Sequence, residues 1–132
     1  MRMIFVNLPV SDLKASKGFF TELGFDFNPE FSDDKCACMV VDQNIYVMLL
    51  VAERFKDFIN GEISDATRST EVITCLSAES REYVDETVAK AVAAGGKPWK
   101  PIMADGPMYG GSFQDIDGHV WELMHMDMPA KE

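Results

Sequence analysis

The chain has 132 residues, 47% hydrophobic and 26% charged, with a formal net charge of −10. That length suits one domain, expected to span residues 1–132. No apolar run approaches the roughly 20 residues that cross a bilayer. So acidic a chain also lacks the clustered Lys and Arg that grip a phosphate backbone, so neither a membrane nor a nucleic acid is expected as a partner.

The N-terminus, Met1-Arg2-Met3-Ile4, passes straight into a strand pattern. It has no apolar stretch or small-residue cleavage site of a signal peptide, and the expected location is cytoplasmic. Residues 3–10 alternate and read as a strand. Ser11 or Asp12 caps a helix over Leu13 to Leu23, with Leu13, Phe20 and Leu23 on one face and Phe19 flanking. Gly24 ends it. Phe25 to Phe31 reads as an edge strand because of Pro29. Cys36 to Val41 and Ile45 to Val51 are strands about an Asp42-Gln43-Asn44 turn, and Ala52 to Ile59 is a short helix carrying Phe55 and Phe58.

The polar stretch from Asn60 to Thr70 is a linker. Glu71 to Ala78 is the next strand, and Ser80 caps a helix whose apolar stripe is Val84, Val88, Ala91 and Val92. Gly95-Gly96 stops that helix. Lys97 to Met103 is an irregular edge strand, Ala104 to Pro107 a loop, and Tyr109 to Gln114 a strand. Asp115-Ile116-Asp117-Gly118 turns into a last strand from His119 to Met126, and the tail from Asp127 is expected to fray.

The order is β-α-β-β-β, twice. Module one covers about 1–59, the linker 60–70, and module two about 71–127. Strands outnumber helices and tight turns join neighbours, which predicts an α+β fold of two βαβββ modules, with helices on one sheet face. Two such modules enclose a cleft that neither forms alone, and function is expected there.

Glu122 is the leading candidate for chemistry. It lies between Trp121 and Leu123 in a strongly apolar strand, where a carboxylate must meet water, a cation or a metal, or titrate high. Alternation puts Val120, Glu122, Met124 and Met126 on one face, and His119, Trp121, Leu123 and His125 on the other. The first face suits an apolar pocket with one polar anchor, Met124 lining it. Ser112 and Gln114 share a face of the neighbouring strand and either bond a ligand or face water. Met103, Met108, Met124, Met126 and Met128 gather late in the chain, as adaptable apolar contacts or core. Cys36, Cys38 and Cys75 read as small buried hydrophobes, not as a disulfide framework. Neither histidine has a second donor at ligand spacing.

Two stretches carry a resemblance. One is Phe5-Val6-Asn7-Leu8-Pro9-Val10-Ser11-Asp12-Leu13 with Ser16, Phe20 and Leu23-Gly24-Phe25. The other is Ser112-Phe113-Gln114-Asp115-Ile116-Asp117-Gly118-His119-Val120-Trp121-Glu122-Leu123. Through them the chain resembles the vicinal oxygen chelate superfamily (glyoxalase I, bleomycin-resistance proteins, fosfomycin-resistance enzymes and extradiol dioxygenases). It is most similar to the glyoxalase-like branch described as predicted lactoylglutathione lyases.

The resemblance implies paired βαβββ modules whose sheets curl around a cleft, and a homodimer. It implies four side chains, near each module's first and last strands, that hold a divalent ion such as zinc, nickel or manganese. That ion chelates two substrate oxygens and stabilises an enolate or oxyanion. Here those positions fall at Asn7, Met48, Cys75 and Glu122, of which Glu122 alone matches the family's acid. Catalytic zinc normally takes three protein donors, and this set favours no metal.

Two functions follow for a small-molecule ligand or substrate. The first is a glyoxalase-like lyase or isomerase with an incomplete ligand set, Glu122 binding metal or acting as general base. The second is a metal-free binding protein of the bleomycin-resistance type, sequestering an apolar or cationic molecule. Asn7, Met48, Cys75, Ser112, Gln114 and Met124 would line the ligand site in either case.

Overall fold

A computed structural model describes residues 1–127, so Met128 and the rest of the tail lie outside the described residues. The chain divides into two units, Met1–Asp65 and Ala66–Glu132. Each holds an open sheet with strands of mixed direction, and the fold is the α+β arrangement expected from the alternating patterns.

In the first unit, β1 (Ile4–Val10), α1 (Leu13–Glu22), β2 (Asp26–Asn28), β3 (Cys36–Asp42) and β4 (Ile45–Val51) follow one another. The sheet order is β1-β4-β3-β2, with β1 parallel to β4 and the other pairs antiparallel. Asp12, not Ser11, caps α1, its Oδ1 accepting from the Ala15 amide at 3.1 Å. Leu13, Phe19, Phe20 and Leu23 are buried, and so is Ser16, on the same face as Phe19 and Phe20. Gly24 takes φ +101°, a left-handed C-terminal position that a Cβ would strain.

The expected strand over Phe25 to Phe31 stops at Asn28. Pro29 opens a 3₁₀ turn over Pro29–Phe31, and Asn28 Oδ1 accepts from the Glu30 amide at 2.9 Å. Proline's fixed φ and missing N–H suit the first position of a helical turn better than a strand. The helix after β4 is likewise shorter than expected: α2 covers Ala52–Phe55 and a 3₁₀ turn covers Lys56–Phe58. Phe58 is exposed, with the Arg54 guanidinium 4.5 Å from its ring centroid.

In the second unit, β5 (Ile73–Ser77) leads to α3 (Arg81–Ala93), β6 (Lys97–Pro98), β7 (Met103–Asp105), β8 (Met108–Gln114) and β9 (Val120–Met126). The path is β5-β9-β8-β6, and β7 pairs with β8. Again the first and last strands, β5 and β9, run parallel. The expected loop at Ala104 to Pro107 is the tip of a β7–β8 hairpin, turned at Gly106 and Pro107. Ser80 caps α3, its Oγ accepting from the Tyr83 amide at 3.0 Å. The buried stripe of α3 runs through Val84, Thr87 and Ala91 and omits Val92, which is exposed. Positions 84, 87 and 91 follow the i, i+3, i+7 helical spacing, and 92 lies 100° further round. Thr87's hydroxyl hid its core position from a reading based on apolarity. Among the described residues no helix is long and apolar enough to cross a membrane.

α3 covers one face of its sheet only. A Cβ on Gly111 would lie 2.9 Å from Val88 Cγ2 and 3.0 Å from Val84 Cγ1 and Ile102 Cδ1. The helix therefore rests on the face that Gly111 presents, and two of these neighbours are stiff valines. Gly111→Ala should cost about 1–3 kcal/mol by overpacking, read as a lower urea midpoint. An unchanged midpoint would show that α3 is not seated on this glycine.

Candidate functional site

The helix-free face of each sheet follows from register. In the second unit Cys75 of β5, Glu122 of β9 and Ser112 of β8 stand opposite one another in one row. Gly111 pairs with Leu123 and belongs to the α3 face, so this row lies on the other. Ile73, Val120 and Gln114 form the row on one side of it, and Ser77, Met124 and Gly110 the row on the other. In the first unit Asn7, Met48, Cys38 and Asn28 form one row. The Lys17 ammonium of α1 sits 5.7 Å from the Phe27 ring centroid, which puts α1 on the Phe27, Met39 and Val47 side. Asn7 and Met48 thus occupy in their unit the positions that Cys75 and Glu122 occupy in theirs.

Glu122 is half-buried, with Val120 and Met124 flanking it on the same face of β9. Cys75 stands opposite it in the β5–β9 register. Burial first, and then hydrogen bonding to Glu122 and its negative charge, push the thiol pKa up to about 11. Cys75 is therefore a neutral donor at pH 7, not a thiolate. Met124 lies across Gly110, where a Cβ would come within 2.7 Å of its terminal methyl, so the glycine makes room for it.

Two predicted ligand residues are already engaged locally. Ser112 is buried, and its Oγ accepts from the Lys100 amide at 3.0 Å. Gln114 Nε2 donates to the Gly118 carbonyl at 3.0 Å. Asn7 is exposed, with a long 3.4 Å contact from Nδ2 to the Phe5 carbonyl. Met48 is half-buried. Cys38 is buried as expected of core, Cys36 is half-buried, and Cys75, expected to be buried, is exposed because β5 is the end strand of its sheet. Burial raises the pKa values of the Cys36 and Cys38 thiols.

Sequence reasoning missed an aromatic pair. Phe5 and Tyr46 stack with centroids 4.9 Å apart and planes 12° off parallel, beside the Asn7–Met48 row on the same face. Their adjacency is a register of two strands some forty residues apart, and no local pattern encodes it. The tyrosine hydroxyl donates to the Gln43 carbonyl at 2.9 Å.

The turn before β9 aims Glu122. Asp115 is buried, and its Oδ1 accepts from the Asp117 amide at 2.9 Å and the His119 amide at 3.0 Å. Its Oδ2 accepts from Trp121 Nε1 at 2.9 Å. Burial pushes this carboxyl up, while His119 and the three donors pull it down.

These donors do not fit the divalent ion that the resemblance implies. Glu122 is one hard anionic ligand, Asn7 a weak amide, Met48 a soft thioether, and Cys75 holds its proton. Among the described residues no three His, Cys, Asp or Glu side chains group as a metal site would require.

Residues 2–42 match the family model described as Bleomycin resistance protein-like N-terminal. A hypothetical protein from S. aureus is 28% identical over 95% of this chain and 94% of that one, with a TM-score of 0.80. A glyoxalase/bleomycin resistance protein/dioxygenase family enzyme from Burkholderia phytofirmans superposes with a TM-score of 0.79 at 17% identity, covering 96% of this chain and 99% of that one. The genomically encoded fosfomycin resistance protein of Listeria monocytogenes does so at 0.69 and 19%, covering 95% and 93%. No curated protein matches the sequence. The fold is that of the glyoxalase and bleomycin-resistance proteins.

Proposed function

We propose that the protein binds a small, largely apolar cation on the helix-free face of its second sheet, anchored by Glu122 and without a metal. The observation that carries this reading is the Glu122 row itself. It sets one half-buried carboxylate beside Val120 and Met124 on its own strand, with the protonated Cys75 thiol opposite it in register. A carboxylate in apolar surroundings gains most from an opposite charge. The net charge of −10 draws cations from a distance. Methionine adapts to varied apolar shapes. This is binding of the bleomycin-resistance kind.

Calorimetry against glycopeptide antibiotics and hydrophobic ammonium compounds tests the reading. At least one should bind more tightly than about millimolar. Glu122→Gln should weaken it about ten- to hundredfold, the worth of a hydrogen bond to a charged group. Equal affinity in the variant, or no binder in the panel, would sink the proposal. Sedimentation at micromolar concentration checks the homodimer that the resemblance implies.

One feature favours a second reading, a lyase or isomerase. Cys75 donating to Glu122 is an acid beside a base, the arrangement that moves a proton on a carbonyl compound. Turnover lost in Glu122→Gln, with binding retained, would favour it. Stoichiometric zinc, nickel or manganese in protein purified without chelators would revive its metal form.

A further inference from the structure

His125, on the α3 side of β9, meets an acceptor at each ring nitrogen. Nδ1 lies 2.9 Å from the Ala78 carbonyl oxygen, just beyond β5, and Nε2 lies 2.8 Å from Oδ1 of Asp127. A neutral imidazole carries one N–H and would turn a lone pair on one of these oxygens. The imidazolium alone satisfies both. Asp127, expected to fray, is instead tied down: Arg81 Nη2 donates to its Oδ2 at 2.9 Å, and its own amide donates to the Pro107 carbonyl at 2.8 Å. Arg81 Nη2 also reaches the Gly106 carbonyl at 3.4 Å. The end of β5, the start of α3, the β7–β8 tip and the end of β9 therefore meet at the His125–Asp127 pair, the imidazole joining the Ala78 carbonyl to Asp127 and Asp127 joining Arg81 and Pro107.

We propose that His125 is a proton-operated latch: charged, it pins Asp127 and the β7–β8 tip to the corner between β5 and α3, and on losing its proton it lets the tip loosen.

The groups around it agree. Arg81 of α3 is the nearby cation, and it is spent on Asp127. Glu82 and Asp85 lie on the same helix, and Asp85 accepts from the Tyr109 hydroxyl at 2.7 Å, Tyr109 being His125's row partner on β8. Asp105 of β7 is one row along and on the opposite sheet face. On the β5 side the partner is the Ala78 carbonyl, with Glu79 next in the chain. That carbonyl first, and then Asp127, raise the His125 pKa, while His125 and Arg81 lower that of Asp127.

The sign follows. A base whose pKa is raised by folding contributes fully below its unfolded value, about 6.5, and the contribution is lost as pH rises through the folded value. Above that, the neutral ring keeps Nδ1–H on the rigid Ala78 carbonyl, and Asp127 retains only Arg81 and its amide.

The latch is independent of any ligand at Glu122, so its test needs none. Side-chain ¹⁵N NMR of the full chain should show both His125 nitrogens protonated beyond the ordinary histidine range. Solvent exchange of the Asp127 amide, corrected for intrinsic pH dependence, should quicken about fivefold or more across that titration. Asp127→Asn, whose amide can donate to a neutral ring, should lower the midpoint by about one pH unit. A wild-type midpoint at or below the ordinary value, or an Asp127 amide unmoved across the titration, overturns the latch.

Discussion

Asp115→Ala is expected to destabilise the protein by about 3–4 kcal/mol, measured as urea unfolding followed by circular dichroism. The carboxylate is buried and accepts three hydrogen bonds, from the Asp117 and His119 amides and from Trp121 Nε1. Alanine removes the acceptor of all three donors at a buried position. Trp121, the largest fully buried side chain, has no route to carry its indole N–H to water. Asp115→Asn should fall between: its oxygen still serves the two amides, but its NH₂ then faces the indole N–H, donor against donor. Trp121→Phe separates the contributions. Placed in the Asp115→Ala background it removes an orphaned donor, so the double variant should lose about 1–2 kcal/mol less than the two single losses summed. Simple additivity would show that the indole contact contributes nothing.

This turn marks where sequence reading works. Asp115, Asp117 and Gly118 announce a reversal through their own side-chain and backbone chemistry, and β9 announces itself by apolar alternation. Such signals live within a few residues. The limits of β4, the caps of α1 and α3, and Gly24 were legible for the same reason. Where reading failed, a nearby or distant partner had outvoted composition. Pro29 is read equally well as a strand demoter or as the start of a 3₁₀ turn until Asn28 closes onto the Glu30 amide. Gly106 and Pro107 look like an open loop unless β7 is known to pair with β8.

The candidate site shows the same division. Glu122 stands out in its own strand because a carboxylate there is costly. Its partner Cys75 is plain in its own strand, and only the parallel β5–β9 register brings the thiol to the carboxylate. The Phe5–Tyr46 stack and the His125–Asp127–Arg81 cluster also exist only once the sheet is built. The residue types were visible, but the distances that make them chemistry are tertiary.

Gly118→Ala should be about as damaging as Asp115→Ala, for a different reason. Gly118 holds φ +90°, and a Cβ there would lie 2.8 Å from the Thr67 amide nitrogen and 2.9 Å from the Ala66 carbonyl carbon and oxygen. Two costs combine. A left-handed backbone costs a residue with a Cβ about 1–2 kcal/mol. The overlap is with main chain, which cannot swing aside as a side-chain tip would, so a further cost of about 1–3 kcal/mol is expected from forced displacement. Gly24→Ala isolates the first cost, since Gly24 has φ +101° with nothing within 4 Å of the added carbon. Gly24→Ala should therefore lose about 1–2 kcal/mol in urea unfolding, and Gly118→Ala about 3 kcal/mol or more. The shift also bears on the site. Asp115 accepts from the His119 amide, and β9 starts at Val120, so moving residue 118 moves the strand that carries Glu122. Backbone amide shifts in Gly118→Ala should change along β9 as far as Glu122, and in Gly24→Ala they should not. Equal losses in the two variants would mean that the 66–67 segment yields to the turn, and that Gly118 is needed for its φ alone.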